Sequence, residues 1–141
     1  MAYINKSKTD SHGTPDWIIE KVRTEYGEIS DFDPCPLNDN PTIDGLDIDY
    51  PRDKIIFVNP PYSALKTTKA RIGWIEKAYN ECVKGSDIVM LIPARTDTQW
   101  FHDFIYGQYK VEFIRGRIKF NGNKNAAPFP SMLVHFNGVQ G

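Results

Sequence analysis

The sequence predicts an α/β fold with a mostly parallel sheet and an antiparallel last strand. Short apolar runs of strand length alternate with longer segments of helical periodicity, which is typical of a parallel, doubly wound sheet. The last apolar run follows its predecessor without a helix between them, which favours antiparallel pairing. The length of 141 residues allows one domain with a sizeable core.

The first part of the chain predicts an arm followed by a helix. Residues 1–13 are polar and lack a periodic apolar pattern, so we expect a flexible N-terminal arm and a single domain over residues 14–141. Thr14 at the N-cap and Pro15 in the first turn predict a helix that ends near Gly27.

Two strands and a long loop are predicted next. Residues 29–32 are a short strand candidate that leads into Asp33. Residues 37–54 are rich in Asn, Asp and Pro, and a loop of that length in a compact domain usually has a function. Residues 55–58 are β-branched or aromatic and predict a buried strand that two prolines end abruptly.

The second half of the chain predicts two helices and four strands. A helical pattern over residues 72–83 precedes a continuous apolar run at 87–92, which is typical of a buried parallel strand. Asp97 is expected to cap a short helix that reaches residue 106. The remaining strands are predicted at residues 110–114, 117–120 and 132–136, with a Gly-, Asn- and Pro-rich loop at 121–130.

The most informative motif is the corner Asn59-Pro60-Pro61-Tyr62, directly after the strand at 55–58. Ligands of open α/β sheets bind at the carboxyl ends of strands. The prolines fix φ and remove two backbone donors, which leaves the Asn59 side-chain oxygen and the Pro60 carbonyl as acceptors beside the Tyr62 ring. Two acceptors and an aromatic face suit a planar ring that carries an amine, such as adenine. The alternative is a proline turn that only closes the strand.

Charge is unevenly distributed although the formal net charge is −1. Residues 25–53 contain nine acids and one base, whereas residues 107–141 contain five bases and one acid. The last third could therefore lie against phosphate and the acidic segment could not. The alternative is that both segments are ordinary solvated faces.

Several function classes are excluded at this stage. No apolar stretch approaches the roughly 18 residues of a membrane span, and the first residues lack the apolar core of a signal peptide. The two cysteines and three histidines show no metal-ligand spacing, so no metal site is predicted. We expect a cytoplasmic, reduced protein.

Taken in order, the motifs resemble those of the phage-type family of DNA N-6-adenine methyltransferases (Dam-like). The resemblance covers nearly the whole chain after residue 13, and the proline corner is its most specific part. The other matching segments are Thr14-Pro15, Asp33-Pro34-Cys35, Asp44-Gly45-Leu46, the run 91–95, the run 116–120 and the run 127–131.

The resemblance implies a truncated Rossmann-like, S-adenosylmethionine-dependent methyltransferase fold. It implies methyl transfer from S-adenosylmethionine to the N6 amine of an adenine flipped out of double-stranded DNA, in the cytoplasm of a bacterial host, by a phage or prophage protein. The chain departs from many methyltransferases after its first predicted strand, where Pro34 and Pro36 replace a glycine-rich loop.

The resemblance also assigns site residues. Asn59, Pro60, Pro61 and Tyr62 would be catalytic, with Tyr62 as the platform on which the adenine stacks. Thr14, Pro15, Trp17, Asp33, Cys35, Asp44, Leu46 and Asn59 would bind the cofactor, with Asp33 facing its ammonium group and Asp44 and Leu46 on its adenine side. Apart from the resemblance, Ser63, Lys66, Arg95, Arg117 and Lys119 are candidates for DNA contacts. The alternative for Arg95, Arg117 and Lys119 is plain solvent exposure.

Two alternatives share the same motifs. The acceptor could be an adenine in RNA or a glutamine amide in a protein, because an amide nitrogen also has a delocalised lone pair. The chain could also be an inactive relative that binds cofactor or DNA without turnover. Because no separate recognition domain is predicted, target recognition is left to the loops 63–71 and 121–130, or to a second subunit of a homodimer.

Overall fold

A four-stranded mixed sheet with helices on both faces forms the protein in the computed structural model, which describes residues 13–35 and 44–138. Most of the predicted arm, part of the predicted loop 37–54, Pro36 and the last three residues lie outside the described residues. The helices are α1 (Asp16–Tyr26), α2 (Trp74–Val83) and α3 (Gln99–Phe104), with a 3-10 turn at Tyr62–Ala64. The strands are β1 (Ile55–Val58), β2 (Asp87–Pro93), β3 (Lys110–Phe113) and β4 (Ser131–Phe136).

The strand order is β1-β2-β4-β3, with β1 parallel to β2 and β4 antiparallel to both of its neighbours. The antiparallel last strand is therefore confirmed, but the prediction of a mostly parallel sheet is wrong. β1, β2 and β3 all run in one direction, as their alternation with helices suggested. The sheet is mixed because the almost wholly buried β4 lies between β2 and β3 and replaces the parallel contact that they would otherwise make.

Two predicted strands do not form. Residues 29–32 contribute a single parallel bridge between Ile29 and Ile55. Beyond it the Ser30 hydroxyl accepts a hydrogen bond from the Phe32 amide (3.1 Å), which turns the chain away from β1. Residues 117–120 are not a strand, since the Ile118 carbonyl accepts from the Ala127 amide across a loop (2.8 Å).

Both predicted helix caps are wrong by one residue. The N-cap of α1 is Pro15 and no side chain caps it, because the Thr14 hydroxyl accepts a hydrogen bond from elsewhere. The N-cap of α3 is Thr98, whose hydroxyl accepts from the Phe101 amide (3.3 Å), whereas Asp97 is exposed. In other respects α1, α2, β2 and β4 lie close to their predicted positions.

Each face of the sheet has its own core, because successive side chains of a strand point to opposite faces. Ile56, Val58 and Met90 pack with α2 and α3 in one cluster. Phe57 and Leu91 pack with α1 and the 114–120 segment in the other cluster. The sheet is thus a middle layer between two cores.

A buried ion pair attaches the chain before β1 to α2. Glu81 is 1% exposed, and one of its carboxylate oxygens accepts from the Tyr50 amide (2.9 Å) while the other meets the Lys77 ammonium (2.9 Å). Lys77 also donates to the Ile48 carbonyl (2.6 Å). Since breaking such a pair costs about 3–5 kcal/mol, residues 48–50 are held firmly against α2.

Candidate active site

The carboxyl ends of β1 and β2 meet at one edge of the sheet. The parallel register pairs Val58 with Met90, so the chain leaves both strands on the same side, through Asn59 and through Pro93. The Ala94 amide donates to the Pro130 carbonyl (2.9 Å), which brings the segment 127–130 to this edge. Three segments therefore meet at this edge of the sheet: the proline corner, the end of β2 and the loop before β4.

Two hydrogen bonds hold the Asn59 side chain at this edge of the sheet. Its amide nitrogen donates to the Thr14 hydroxyl (2.9 Å), and its amide oxygen accepts from the Tyr62 hydroxyl (3.1 Å). Burial raises the pKa of Tyr62 well above its usual range, so that hydroxyl stays a donor. These contacts orient the amide with its nitrogen toward α1 and its oxygen toward Tyr62.

Thr14 is itself fixed by the loop after the 114–120 segment. The Asn121 side-chain amide donates to the Thr14 carbonyl (3.1 Å), and the Asn121 backbone amide donates to the Gly13 carbonyl (2.9 Å). Asn121, Thr14, Asn59 and Tyr62 therefore form one connected chain of hydrogen bonds. Thr14, Asn59 and Tyr62 were predicted as site residues from the sequence. Asn121 was not, because its hydrogen-bond partner is far away in the sequence and no neighbouring residue indicates the contact.

A cleft of about 290 Å³ opens beside the corner. It is lined by Tyr62, Ser63, Leu65, Lys66, Pro93, Arg95, Trp100 and Phe129. Its walls combine three aromatic rings with two cations and no acid. The Tyr62 and Phe129 rings form a T-shaped pair with 5.5 Å between their centroids, so two of the aromatic walls support each other.

Three of the five predicted DNA-binding residues share this cleft with Tyr62, namely Ser63, Lys66 and Arg95. Arg117 and Lys119 are exposed and do not line it. Trp100 belongs both to the core and to this cleft. It is 9% exposed, and its remaining surface lines the cleft.

The other predicted cofactor residues lie on two adjacent turns. The Asp33 carboxylate accepts from the Cys35 amide (2.9 Å), and the Asp44 carboxylate accepts from the Leu46 amide (3.0 Å). The turns touch at Gly45, where a Cβ atom would lie 2.0 Å from the Pro34 carbonyl oxygen. Only glycine allows this approach, so Gly45 brings the two acidic turns together.

The two carboxylates differ in their surroundings. Burial raises the pKa of Asp33 to about 6. The pKa of Asp44 is lowered, first by a hydrogen bond from the Arg71 guanidinium and then by the Leu46 amide. Arg71 was not named from the sequence, and it also lies 3.8 Å from the Asp47 carboxylate.

The remaining predicted cofactor residues are divided between surface and core. Trp17 is 52% exposed on α1, and Pro15 is buried at the start of that helix. Leu46 belongs to the core cluster on the α2 face, and Cys35 packs against it. Their roles toward a cofactor stay predictions.

The described residues lack both a metal-binding cluster and a membrane-spanning helix. Over 13–35 and 44–138, no three or more His, Cys, Asp or Glu side chains lie close enough together to hold a metal ion. Over the same ranges no helix is both long and apolar enough to cross a membrane.

The structure thus has an acceptor corner at a parallel strand end, beside a cleft with aromatic walls. Comparison with known families shows the family of the chain. The family model for DNA N-6-adenine-methyltransferase (Dam) matches residues 2–137, and the chain belongs to this family. The comparisons with curated proteins and with solved structures find no match.

We predict that Asp33→Asn stabilises the folded protein at pH 8 and not at pH 4. Burial raises the folded-state pKa of Asp33 to about 6 from an ordinary value of 3.8, so its favourable contribution is present below 3.8 and lost as the pH rises through 6. Asparagine avoids this cost and keeps the acceptor for Cys35. The gain is at most about 3 kcal/mol, since one pKa unit corresponds to ~1.4 kcal/mol.

Denaturant unfolding of both proteins at the two pH values measures the effect. Asp31→Asn is the matched control, because Asp31 is an exposed acid in the same segment and its replacement should change little. A loss of stability in Asp33→Asn at pH 8 would contradict the prediction.

Proposed function

We propose that this DNA adenine methyltransferase takes its methyl group from S-adenosylmethionine and acts on an adenine that is flipped out of the duplex. The proposal is carried by the Asn59-Pro60 corner at the end of β1, which offers two acceptor oxygens beside an aromatic cleft. Asn59 is half-buried, Pro60 is buried and Tyr62 is half-buried, so the corner is shielded without being closed off.

Methyl transfer to adenine requires a well-positioned amine more than it requires a general base. The adenine amine is a poor nucleophile because its lone pair is delocalised into the ring. The Asn59 amide oxygen and the Pro60 carbonyl would accept its two hydrogens and favour a pyramidal nitrogen with its lone pair directed at the methyl carbon. The nitrogen–methyl bond forms as the sulfur–methyl bond breaks, and the extra proton leaves the amine for solvent through these oxygens.

In the protein alone, the Asn59 side-chain oxygen already accepts a hydrogen bond from the Tyr62 hydroxyl. The amine would accordingly bind beside this hydroxyl or in its place. The Thr14 contact on the other side of the amide keeps the oxygen directed toward the cleft in both cases.

The cleft fits the rest of a flipped nucleotide. Tyr62, Trp100 and Phe129 provide flat apolar surface for the ring, and base–aromatic stacking is worth about 1–3 kcal/mol. Lys66 and Arg95 provide the positive charge that the flanking phosphates need. Stacking and charge together would offset much of the cost of taking the base out of the duplex.

The two acidic turns fit S-adenosylmethionine. When bound, this cofactor supplies a methyl group on a positively charged sulfur and also carries an ammonium group. An ammonium beside the Asp33 carboxylate would compensate the burial that raises its pKa to about 6. Asp44 and Leu46 on the adjoining turn would hold the adenine end, with Arg71 giving up part of its contact with Asp44.

We predict that Asn59→Ala loses methyl transfer to DNA. Removing a preorganised contact to the reacting group should lower kcat on the order of 10²–10³-fold. The measurement is incorporation of labelled methyl from S-adenosylmethionine into duplex DNA of mixed sequence. The matched control is Asn80→Ala on α2, outside the cleft. No incorporation by the wild type, or equal incorporation by Asn59→Ala, would contradict the proposal.

We also predict that Thr14 acts by holding the Asn59 amide. Thr14→Val keeps the shape and loses the acceptor, so kcat should fall roughly tenfold, the size of one neutral hydrogen bond. Thr14→Ser keeps the acceptor and should retain most of the rate.

Calorimetric affinity for S-adenosylmethionine separates this role from cofactor binding. If Thr14→Val weakens cofactor affinity and leaves kcat unchanged, Thr14 binds the cofactor and the positioning role is wrong. Equal rates for the Val and Ser variants would contradict it as well.

A further inference from the structure

Both ends of the loop 121–130 contact residues that hold the catalytic corner. At its start, the Asn121 side-chain amide donates to the Thr14 carbonyl (3.1 Å). At its end, the Phe129 ring forms a T-shaped pair with the Tyr62 ring, with 5.5 Å between their centroids. The proposed methyl transfer uses Phe129 as a wall of the cleft, but it assigns no role to Asn121.

The two residues that the loop contacts in this way hydrogen-bond opposite ends of the Asn59 amide. The Thr14 hydroxyl accepts from the amide nitrogen (2.9 Å), and the Tyr62 hydroxyl donates to the amide oxygen (3.1 Å). The loop thus supports the nitrogen side through a hydrogen bond and the oxygen side through an aromatic contact. A movement of the loop would therefore act on both contacts that orient the acceptor oxygen.

The backbone of the loop holds it in place between these two ends. The Ala127 amide donates to the Ile118 carbonyl (2.8 Å), and both residues are buried. Gly122 follows Asn121 directly and has a φ of 90°, a conformation that favours glycine, so the chain turns immediately after the contact with Thr14. The loop is therefore anchored within its own length and can act as a support.

Burial does not account for the Asn121 side chain. The residue is exposed, so it adds little to either core. Its hydrogen bond instead reaches 107 residues back along the chain, to the residue that holds Asn59. Replacing an exposed side chain of this kind usually costs little stability. The effect of Asn121 on the site can therefore be measured in a folded protein.

We propose that Asn121 is a positioning residue for methyl transfer, through which the loop 121–130 sets the direction of the Asn59 acceptor. Asn121 fixes the Thr14 backbone, Thr14 fixes the amide nitrogen, and the amide oxygen is thereby directed at the adenine amine. In this role Asn121 touches neither DNA nor cofactor, so it acts on kcat and leaves KM unchanged. This inference rests on the proposed function.

The first test is the steady-state kinetics of Asn121→Ala and Asn121→Asp, with Asn80→Ala as the control outside the cleft. Aspartate keeps the size of asparagine, but its carboxylate cannot donate to the Thr14 carbonyl. We expect kcat to fall about fivefold in both Asn121 variants, somewhat less than for a direct contact to Asn59. KM for DNA and the calorimetric affinity for S-adenosylmethionine should stay unchanged, and Asn80→Ala should behave as the wild type. An unchanged kcat in Asn121→Ala, or a rise in KM for DNA alone, would overturn the inference.

A double-mutant cycle with Thr14→Val tests whether Asn121 acts through Thr14. If it does, Asn121→Ala lowers kcat about fivefold in the wild type and less than about twofold in Thr14→Val, because the link to Asn59 is already broken there. Independent effects would multiply to a combined loss of about 50-fold and would overturn the inference.

NMR of the protein alone gives a readout that does not depend on turnover. The side-chain amide signals of Asn59 are identified by their loss in Asn59→Ala. They should shift in both Asn121 variants and not in Asn80→Ala. Unshifted signals in the Asn121 variants would overturn the inference even if kcat falls. If the wild type transfers no methyl group while these signals shift, the proposed function is refuted and the loop still positions Asn59.

Discussion

Parallel pairing of β1 with β2 is the constraint on which the site depends. The register from Ile55 opposite Asp87 to Val58 opposite Met90 makes both strands end at one edge. Both strands are buried and apolar, so a slip by one residue would exchange the side chains of the two cores. Packing on both faces of the sheet therefore fixes the position of Asn59 relative to the end of β2. Contacts within the corner alone could not fix it.

Hydrogen bonds between distant segments then set the chemistry of that edge. Asn59 is held between Thr14, 45 residues earlier, and Tyr62, three residues later. Asn121 joins Thr14 from the other direction. The buried Lys77–Glu81 pair performs a similar task for the acidic turns, because it attaches residues 48–50 to α2 just beyond the Asp44–Leu46 turn. The residues that would meet substrate and cofactor lie at turns and strand ends, whereas the contacts that orient them come from other parts of the chain.

Local features were predicted well from the sequence. The proline corner, the apolar strands 55–58 and 87–92, and the helix that ends near Gly27 each depend on residues adjacent in the chain. The strand at 29–32 was wrong because the Ser30 hydroxyl competes for the backbone, an effect that hydrophobic periodicity does not register. The caps at Thr14 and Asp97 were wrong because a neighbouring residue or a distant partner suited the geometry better.

Long-range features could not be predicted in the same way. The position of β4 between β2 and β3 depends on which buried strand fits the centre of the sheet, and the sequence order does not contain this information. Trp100 and Phe129 become walls of the cleft only after α3 and the loop before β4 reach the end of β2. Arg71 and Asn121 depend on partners 27 and 107 residues away. The family match over residues 2–137 establishes the reaction, and these contacts suggest how this chain performs it.

The most direct measurement is a crystal structure of the protein with duplex DNA and a non-reactive analogue of S-adenosylmethionine. We expect an extruded adenine against Tyr62, with its N6 atom about 3 Å from both the Asn59 side-chain oxygen and the Pro60 carbonyl oxygen. An adenine bound elsewhere on the surface, with these two oxygens still turned only toward protein groups, would contradict it.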